Sequence, residues 1–414
     1  MIREPLKTIT EEQAFEIAKR FGTPTHVTSQ KVLEKNASEV LAFPNAFRLK
    51  VRYAMKADPD ANIISLFHSM GIGIDASSGY EAQRAIAAGI PPNEILLTSQ
   101  QISENTIDLI ARGVEFNACS LRQLDFFGSA FPGHDVSVRI NPGRGSGGTR
   151  RTNTGGPSSS FGIWYEQIPE ILNVAREYDL KIKRVHTHIG SGSDPKVWQR
   201  VARKSLACVE QLIEAEHPVE TLNLGGGFKR GRMSYERTTD LQECGMPVAD
   251  AFKNFARKTG KKLKLEIEPG TFLVANAGCV VSSIIDIKRT PDYNFIIVDT
   301  GMTEVLRPVL YGAQHPLVVI PQRKETRRYI VSGHECESGS MFTPAPGNPE
   351  RLQPRLLGKA MIGDLLVIED TGAYCDSMST VDYNSFPRAA RAWIDDRGDI
   401  KQIRVRQSLT SIVF

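Results

Sequence analysis

The chain has 414 residues, with 51 Lys and Arg against 47 Asp and Glu, which gives a formal net charge of +4. At roughly 100–200 residues per domain, this length predicts about two to four domains. The hydrophobic content of 41% excludes a disordered or fibrous protein. The charge is too small and too evenly spread for a nucleic-acid surface or a polybasic membrane surface. We therefore expect a small-molecule partner, with no nucleic acid and no membrane.

The six cysteines are spread singly along the chain and form no CxxC pair. They lack the dense spacing of a secreted disulfide scaffold. The opening residues 1–7 carry charges where a signal peptide needs an apolar stretch, and no segment approaches the ~18 apolar residues of a membrane span. These observations predict reduced thiols in a cytoplasmic protein.

Short apolar runs alternate with amphipathic stretches between about residues 50 and 270. One intervening helix is predicted over Tyr80–Ala88, where Ser77 and Ser78 can cap the N-terminus and Gly89 can take a left-handed conformation. The alternation favours a closed (β/α)8 barrel, and an open doubly wound sheet would show the same pattern. The predicted barrel strands are Val51–Met55, Gly73–Ala76, Ile95–Thr98, Val114–Ala118, Val136–Ile140, Ile182–Ile189, Thr221–Leu224 and Leu263–Glu268.

After Gly270 the pattern changes to β-rich segments separated by Pro and Gly turns. The first thirty or so residues, with Thr25–Val27 as a lone strand, are assigned to the same part. We therefore predict a barrel over 30–275 and an all-β domain made of 1–29 with 276–414. The predicted strands of this domain are Gly278–Lys288, Phe295–Asp299, Leu317–Ile320, Arg328–Ser332 and Asp364–Glu369.

One loop, Asn141–Ser160, is rich in glycine and also contains Arg144, Arg150 and Arg151. It is either an ordinary flexible surface loop or a mobile basic loop over an active site that receives an anionic substrate.

Lys56 directly follows the first predicted barrel strand. Such barrels keep their active sites at the C-terminal ends of the strands. A lysine that is partly desolvated there has a lowered pKa and can act as an amine nucleophile. An ordinary solvated lysine would show the same sequence signal.

Three motifs nearby could hold a phosphorylated ring. Gly225, Gly226 and Gly227 follow a predicted strand and can turn backbone N–H groups toward an anion, although a tight turn needs the same glycines. His186 and His188 share a face of a strand, and we favour ring packing over zinc because no further metal ligand has suitable spacing. Ser191 is a candidate phosphate donor.

Three further candidates carry acid, thiol or phenol groups. Glu268 ends a strand before a Pro-Gly turn, so it is either half of a structural salt bridge or the partner of a protonated pyridine nitrogen. Cys336 and Glu337 join a thiol to a carboxylate, and Tyr374 lies in a glycine-bounded turn. Together with Lys56 and the phosphate motifs, these are the groups that pyridoxal 5′-phosphate requires from a protein.

The ordered set of motifs resembles the diaminopimelate decarboxylases, within the alanine-racemase-like, fold-type III pyridoxal-phosphate decarboxylases that include ornithine decarboxylase. The resemblance covers nearly the whole chain and implies a (β/α)8 TIM barrel with a C-terminal all-β domain. The matching stretches are YAMKA (53–57), GIDASSGYEAQRAIAAG (73–89), NTGG (153–156), FGIWY (161–165), HTHIGSG (186–192), GGG (225–227), EIEPG (266–270), DTGMTEVLRPVLYGAQH (299–315), CESG (336–339), GAY (372–374) and YNS (383–385).

For the cofactor, the resemblance implies that Lys56 forms the covalent link and that Glu268 keeps the pyridine nitrogen protonated. His188 stacks on the ring, and Asp75 and Arg139 are charged supports of the lysine. The residues implied around the phosphate are Ser191, Gly225, Gly226, Gly227, Gly270 and Tyr374.

For the substrate, the resemblance implies that Arg307 and Tyr311 bind a carboxylate, with Tyr374 also near the substrate. Cys336 is the implied proton donor, and Glu337 reads the distal end of the substrate. In this family the CESG segment reaches across a dimer interface, so a homodimer with shared active sites is expected. No metal is implied.

The implied activity is α-decarboxylation of meso-2,6-diaminopimelate to L-lysine and CO2. Several positions depart from the family pattern: Thr271 replaces the Arg that usually follows Glu-Pro-Gly, Ser340 replaces Asp, Phe386 replaces Arg, and the turn Ser379–Asp382 is one residue longer. Because these positions bear on specificity, decarboxylation of lysine, ornithine or another amino acid is the alternative, with an amino-acid racemase behind it. Arg150 or Arg151 is a candidate replacement for the missing charge.

Overall fold

The computed structural model describes residues 4–145, 154–188, 190 and 194–413. Contacts between Cα atoms divide the chain into two compact units. The barrel unit comprises 37–229 and 238–270, and the β unit comprises 1–36, 230–237 and 271–414. Relative to the predicted bounds of 30–275, the short segment 230–237 lies with the β unit.

The strands are β1 (Thr25–Ser29), β2 (Leu49–Ala54), β3 (Gly73–Ala76), β4 (Ile95–Leu97), β5 (Glu115–Ala118), β6 (Asp135–Asn141), β7 (Ile163–Trp164), β8 (Lys181–His186), β9 (Thr221–Asn223), β10 (Lys264–Ile267), β11 (Gly278–Arg289), β12 (Asn294–Val298), β13 (Leu317–Ile320), β14 (Thr326–Ser332), β15 (Pro344–Ala345), β16 (Asn348–Leu352), β17 (Arg355–Gly358), β18 (Leu365–Ile368), β19 (Ala390–Ile394) and β20 (Ile400–Arg404).

The α-helices are α1 (Glu11–Phe21), α2 (Gln30–Leu41), α3 (Ala61–Ser69), α4 (Gly79–Ala87), α5 (Thr106–Ala111), α6 (Leu121–Ala130), α7 (Ile168–Glu177), α8 (Pro195–Glu214), α9 (Leu241–Thr259), α10 (Thr271–Val274), α11 (Arg307–Tyr311) and α12 (Leu409–Val413).

A closed parallel barrel forms the centre of the barrel unit. Its strands pair in the order β5-β4-β3-β2-β10-β9-β8-β6, and pairing of β5 with β6 closes the ring. Strands such as β3 and β4 are buried along their whole length, as expected for parallel strands covered by helices. The barrel prediction is confirmed, and the pairing of β5 with β6 excludes the open doubly wound sheet.

Local signals set the ends of α4 as predicted. The Ser78 side chain accepts a hydrogen bond from the Glu81 backbone N–H, and Gly89 adopts φ +89° just after the helix. Only glycine takes that conformation without strain. The loop that follows α4 therefore returns the chain to β4.

The β unit is built on a second sheet, in the order β17-β14-β12-β11-β1-β19-β20, with β18 pairing with both β11 and β13. The predicted lone strand is β1, which lies between β11 and β19. Two apolar clusters line this sheet, one around Val280, Val298 and Tyr329 and the other around Val27 and Val318. The prediction of a separate β-rich domain is confirmed and β1 belongs to its sheet, but the unit is mostly β rather than all-β because it also contains α1, α10, α11 and α12.

Among the described residues, no helix is both long enough and apolar enough to span a membrane.

Candidate active site

Lys56 lies at the C-terminal end of β2, in the single 3-10 turn Met55–Ala57. Its two neighbours are buried and its own side chain is exposed. Burial raises the pKa of Asp75 and of Glu81, and the charge of Lys56 acts in the opposite direction on both carboxyl groups. Lys56 therefore lies in the electrostatic range of a small group of acids at this end of the barrel.

Glu268 follows β10, the strand beside β2, and both of its carboxylate oxygens accept hydrogen bonds. Asn223 Nδ2 donates to Oε1 at 2.6 Å, and His186 Nε2 lies 3.1 Å from Oε2. Burial by itself raises the pKa of Glu268, but the hydrogen bond from His186 and the charge of Lys56 lower it, and the pKa lies well below its usual range. Glu268 is therefore a buried carboxylate that stays ionised at neutral pH.

The protonation of His186 follows from its other neighbour. Asn117 Nδ2 lies 3.0 Å from His186 Nδ1, and because an amide nitrogen only donates, Nδ1 accepts. Burial lowers the pKa of His186, so the ring is neutral and carries its proton on Nε2, directed at Glu268. Asn117 is held by Ser137 Oγ, which donates to its Oδ1 at 2.8 Å.

Asp75 lies in β3 and Arg139 in β6, two strands of the barrel that do not pair with each other. Asp75 is 2% exposed, and its Oδ1 has no hydrogen-bond partner among the described residues. Arg139 is also buried, with its guanidinium carbon 5.0 Å from the centre of the Phe161 ring. The charge of Arg139 is, after burial, the largest cause that lowers the pKa of His188.

His188 and the triple glycine lie together. The predicted strand over 182–189 ends at His186, so His188 lies in the loop beyond β8, where its Nδ1 accepts the Gly226 backbone N–H at 3.0 Å. Gly225 has φ +68° and Gly227 has φ +102°. A Cβ at Gly225 would collide with the His188 ring, and one at Gly226 would collide with the Glu268 carbonyl oxygen. Glycine is therefore required for this close approach.

Gly270 is buried at the end of the barrel unit, directly after the Glu268-Pro269 turn. Ser191, Arg150 and Arg151 lie outside the described residues.

Tyr374 belongs to the β unit, where it adopts φ +57°. Gly372 before it admits no Cβ because one would collide with the Val274 carbonyl oxygen. Two residues after Tyr374, Asp376 receives both ends of the Arg404 guanidinium at 2.7 and 2.9 Å. Burial raises the pKa of Asp376, but His26, Arg404 and Arg391 hold it far below its usual range. This ion cluster anchors the turn that carries Tyr374.

Arg307 and Tyr311 are the first and last residues of α11. The Arg307 guanidinium carbon lies 5.7 Å from the centre of the Tyr311 ring. The Arg307 Nε is buried and has no hydrogen-bond partner among the described residues.

The CESG segment has a buried base and an exposed tip. Glu335 is buried, and its carboxylate accepts hydrogen bonds from Ser340 Oγ at 2.6 Å and from Thr303 Oγ1 at 2.8 Å. Cys336 and Glu337 are exposed. Glu337 Oε2 accepts a hydrogen bond from the Tyr383 hydroxyl at 3.2 Å.

Two of the unusual residues are explained at the base of this segment. Ser340 bonds to Glu335, and Phe386 stacks on His334 with ring centres 3.7 Å apart and an interplanar angle of 9°. These substitutions adapt to the adjacent His334 and Glu335.

Comparison with known proteins identifies the family. The family model described as "Pyridoxal-dependent decarboxylase, pyridoxal binding domain" matches residues 29–275. Diaminopimelate decarboxylase from Escherichia coli is 33% identical over 98% of this chain and 96% of its own length. The Streptomyces coelicolor diaminopimelate decarboxylase is 34% identical over 88% of this chain and 83% of its own.

This chain belongs to the diaminopimelate decarboxylase family of pyridoxal-dependent decarboxylases.

Solved structures agree with this diaminopimelate decarboxylase family assignment. A crystal structure of diaminopimelate decarboxylase superposes with a TM-score of 0.90 at 32% identity, covering 98% of this chain and 96% of that one. The Helicobacter pylori diaminopimelate decarboxylase complexed with L-lysine has a TM-score of 0.85 at 27% identity, covering 96% and 98%.

The barrel unit of this family member fits a pyridoxal group. Glu268 is a buried, ionised carboxylate of the kind that holds a protonated ring nitrogen. Asp75 has an unpartnered buried oxygen, and Gly225 and Gly226 leave no room for a side chain beside His188. The donor set therefore matches the chemistry of the family's cofactor.

No sequence motif singles out Asn117 or Asn223, and the sequence pattern does not predict that His186 holds Glu268. Each is a polar residue in a barrel strand, with Asn223 and His186 at the C-terminal ends of β9 and β8. Their position at the C-terminal end of a barrel strand was the sequence signal that could have identified Asn223 and His186, since active sites lie there.

Proposed function

We propose that this protein decarboxylates meso-2,6-diaminopimelate to L-lysine and CO2 with pyridoxal 5′-phosphate as cofactor. The observation that carries this proposal is the ionised Glu268 within electrostatic range of Lys56, on adjacent strands of a closed barrel. The near full-length match to diaminopimelate decarboxylases supports the choice of substrate.

Residues of the barrel unit would hold the cofactor. Lys56 would attach to it covalently, Glu268 would keep its ring nitrogen protonated, and His188 would pack against the ring. The phosphate would be bound by Gly225, Gly226, Gly227 and Gly270, with Ser191 and Tyr374. When bound, the protonated pyridine ring accepts the electron pair that the departing carboxylate leaves behind.

Hydrogen bonds within the chain keep the Glu268 charge in place. Asn117 directs the His186 proton toward Glu268, and Asn223 donates to the other oxygen. A carboxylate with two such donors resists protonation. Glu268 would therefore stay ionised and able to hold a bound ring nitrogen in its protonated form.

The reaction exchanges one carboxylate for one proton at the same carbon, so the site needs a proton donor. The Cys336 thiol is the proposed donor, delivering its proton to the carbon from which CO2 leaves. The Lys56 Nζ would supply the amine that releases the product. Arg307 and Tyr311 bind the remaining carboxylate, and Glu337 binds the distal ammonium group.

We further propose that two copies of the chain form a homodimer. Cys336 and Glu337 are exposed at the tip of a loop whose base is held by the buried Glu335. An exposed proton donor and specificity residue on an anchored loop are suited to completing the site of a second copy. A cytosolic location is in keeping with the six free cysteines, five of which are buried.

The test is release of CO2 and L-lysine from meso-2,6-diaminopimelate by the purified protein with added cofactor. L-Lysine, L-ornithine and L-alanine serve as alternative substrates, with CO2 release and loss of optical activity measured separately. We expect turnover of diaminopimelate to exceed that of the others by at least about a hundredfold, because a buried carboxylate subsite penalises substrates that leave it unpaired. Turnover of lysine or ornithine in its place, or racemisation without CO2, would reject the proposal.

A further inference from the structure

Thr271 stands where the family usually has an arginine that helps to bind the substrate carboxylate. In the structure Thr271 is the first residue of α10. The chain therefore lacks one expected guanidinium, and Arg150 and Arg151, the candidates from the sequence, lie outside the described residues.

The segment 230–237 is anchored to this same helix within the β unit. The Arg230 guanidinium carbon lies 3.8 Å from the centre of the Phe272 ring, and its Nε donates to the Phe272 carbonyl oxygen at 3.4 Å. Phe272 is the second residue of α10. Arg232 lies two residues beyond Arg230 in this anchored segment.

Arg232 is 5% exposed and only partly hydrogen-bonded. Its Nε donates to the Asp370 carbonyl oxygen at 3.2 Å, while its Nη2 is buried and has no hydrogen-bond partner among the described residues. The Nε of Arg307 is in the same state. Buried guanidinium groups are normally fully paired, so two unpaired donors in one unit call for a shared acceptor.

Electrostatics indicate that Arg232 and Arg307 face one region. Burial lowers the pKa of Arg232 to about 10, with the charge of Arg307 as the next cause, so the Arg232 guanidinium is a cation at neutral pH. Burial, Arg232 and Arg307 also lower the pKa of His315, whose ring is therefore neutral.

Two carboxylates, Asp370 and Glu236, raise the pKa of Arg232 through their charges and so oppose the effect of burial. The Asp370 carboxylate is 2.8 Å from the Lys7 ammonium, and Glu236 accepts the Arg232 backbone N–H at 3.2 Å. The guanidinium itself is in no ion pair among the described residues.

We propose that Arg232 replaces the missing guanidinium and, together with Arg307, binds the carboxylate that the substrate keeps after decarboxylation. This inference rests on the proposed function. A guanidinium pairs with a carboxylate through parallel hydrogen bonds and keeps its charge at any working pH. Arg232 is thus a specificity-determining residue that none of the family motifs quoted above contains.

Three ligands separate this role from a purely structural one. Diaminopimelate has two carboxylates, L-lysine retains one, and cadaverine has none, while all three are diamines. A subsite for the retained carboxylate therefore favours diaminopimelate and L-lysine and does not affect cadaverine.

The experiment compares the holoenzyme with Arg232→Gln, Arg232→Lys and the control Arg237→Gln. Arg237 lies in the same segment and is exposed, so its replacement removes the same charge without touching the buried site. The measurements are kcat and KM for meso-2,6-diaminopimelate and calorimetric binding of L-lysine and cadaverine.

For Arg232→Gln we expect KM and the L-lysine Kd to rise by about ten- to a hundredfold, with cadaverine binding changed by less than about twofold. Arg232→Lys keeps the positive charge but cannot form two parallel hydrogen bonds to one carboxylate. The affinity for L-lysine should therefore fall by about three- to tenfold. Arg237→Gln should match the parent. If Arg232→Gln does not fold, the lysine-to-cadaverine ratio of Arg232→Lys decides.

Equal weakening of L-lysine and cadaverine, a fall in kcat with KM unchanged, or the same effect from Arg237→Gln would overturn the inference. Failure of the proposed function would give a different result, because the parent enzyme itself would release no CO2 from diaminopimelate. Calorimetric binding of L-lysine and cadaverine needs no turnover and so still reports on Arg232 in that case.

Discussion

Two sets of polar groups are organised differently. One surrounds Glu268 in the barrel unit, where the cofactor is proposed to bind, and the other contains Arg232 and Arg307 in the β unit, where the substrate carboxylate is proposed to bind. Glu268 accepts hydrogen bonds on both oxygens from residues of its own unit. Arg232 and Arg307, in contrast, each have a buried nitrogen with no partner among the described residues. Internal hydrogen bonds hold Glu268 in place, whereas Arg232 and Arg307 would be fully paired only when a carboxylate is bound. If Arg232 replaces the missing arginine as proposed, this difference would allow the exchange without disturbing the groups that hold Glu268.

The largest expected effect is where the cofactor is proposed to bind. Lys56→Ala should lower kcat by about a thousandfold or more, because the covalent attachment and the amine that releases product are both lost. The measurement is CO2 release, with covalently bound cofactor assayed after borohydride reduction. Lys50→Ala, at the other end of β2 and paired with Glu94, is the control and should retain activity. Retention of reducibly bound cofactor by Lys56→Ala would contradict the assignment.

The next effect concerns the fold of the β unit. Asp376→Asn should lower the free energy of unfolding by about 3–5 kcal/mol, because it leaves Arg391 and Arg404 without their buried counter-ion. The exposed pair of Glu325 with Lys359 is the comparison, and Glu325→Gln should cost at most about 1 kcal/mol. Denaturant unfolding measures both variants. Equal losses of unfolding free energy would show that the buried Asp376 stabilises the protein no more than the exposed Glu325 does.

The same carboxylate predicts a pH dependence. The folded-state pKa of Asp376 is below its unfolded value, so its stabilisation is present above about pH 4 and is lost as the pH falls further. Acid unfolding of the parent should therefore be steeper between about pH 4 and 2 than that of Asp376→Asn, in unfolding curves collected at each pH. If the parent and Asp376→Asn lose stability equally as the pH falls, other carboxylates dominate the acid unfolding.

A smaller effect tests the tautomer of His186. Asn117→Leu should lower kcat by about ten- to a hundredfold, because nothing then directs the Nε2 proton toward Glu268. The acid limb of the kcat profile should move to higher pH, since the Glu268 pKa rises when the His186 Nε2 proton is no longer held toward it. Ser137→Ala, which removes only the support of Asn117, should cost about threefold or less. An unshifted acid limb would assign Asn117 a structural role.

The smallest effect concerns Ser340. Ser340→Ala should destabilise the protein by about 1–3 kcal/mol with kcat nearly unchanged, because the buried Glu335 loses one donor. Ser340→Asp, which restores the residue common in the family, should destabilise more because it sets a second carboxylate beside Glu335. Ser338→Ala, on the exposed side of the same loop, is the control in thermal melting. A stabilised Ser340→Asp protein would contradict this explanation of the departure.

Much of the architecture was predictable because it depends on local patterns. The eight barrel strands fall where apolar runs were predicted, and Ser78 and Gly89 bound α4 as expected. The strand predicted over 182–189 stops at His186, so His188 lies in a loop. Residues 146–153 of the glycine-rich loop lie outside the described residues, and the prediction of a mobile basic loop stays a prediction.

The sequence by itself determined the alternation of strands and helices, the β-rich second part, and the motifs that carry Lys56, Glu268 and Tyr374. These follow from residue periodicity, turn chemistry and family resemblance, which are properties of short stretches of chain. Only the tertiary structure decided the closure of β5 on β6, the proton position on His186, and the burial of an unpartnered Arg232 nitrogen. Each of these depends on hydrogen bonds or charges between residues far apart in the chain, and no local pattern encodes which distant groups will be desolvated together.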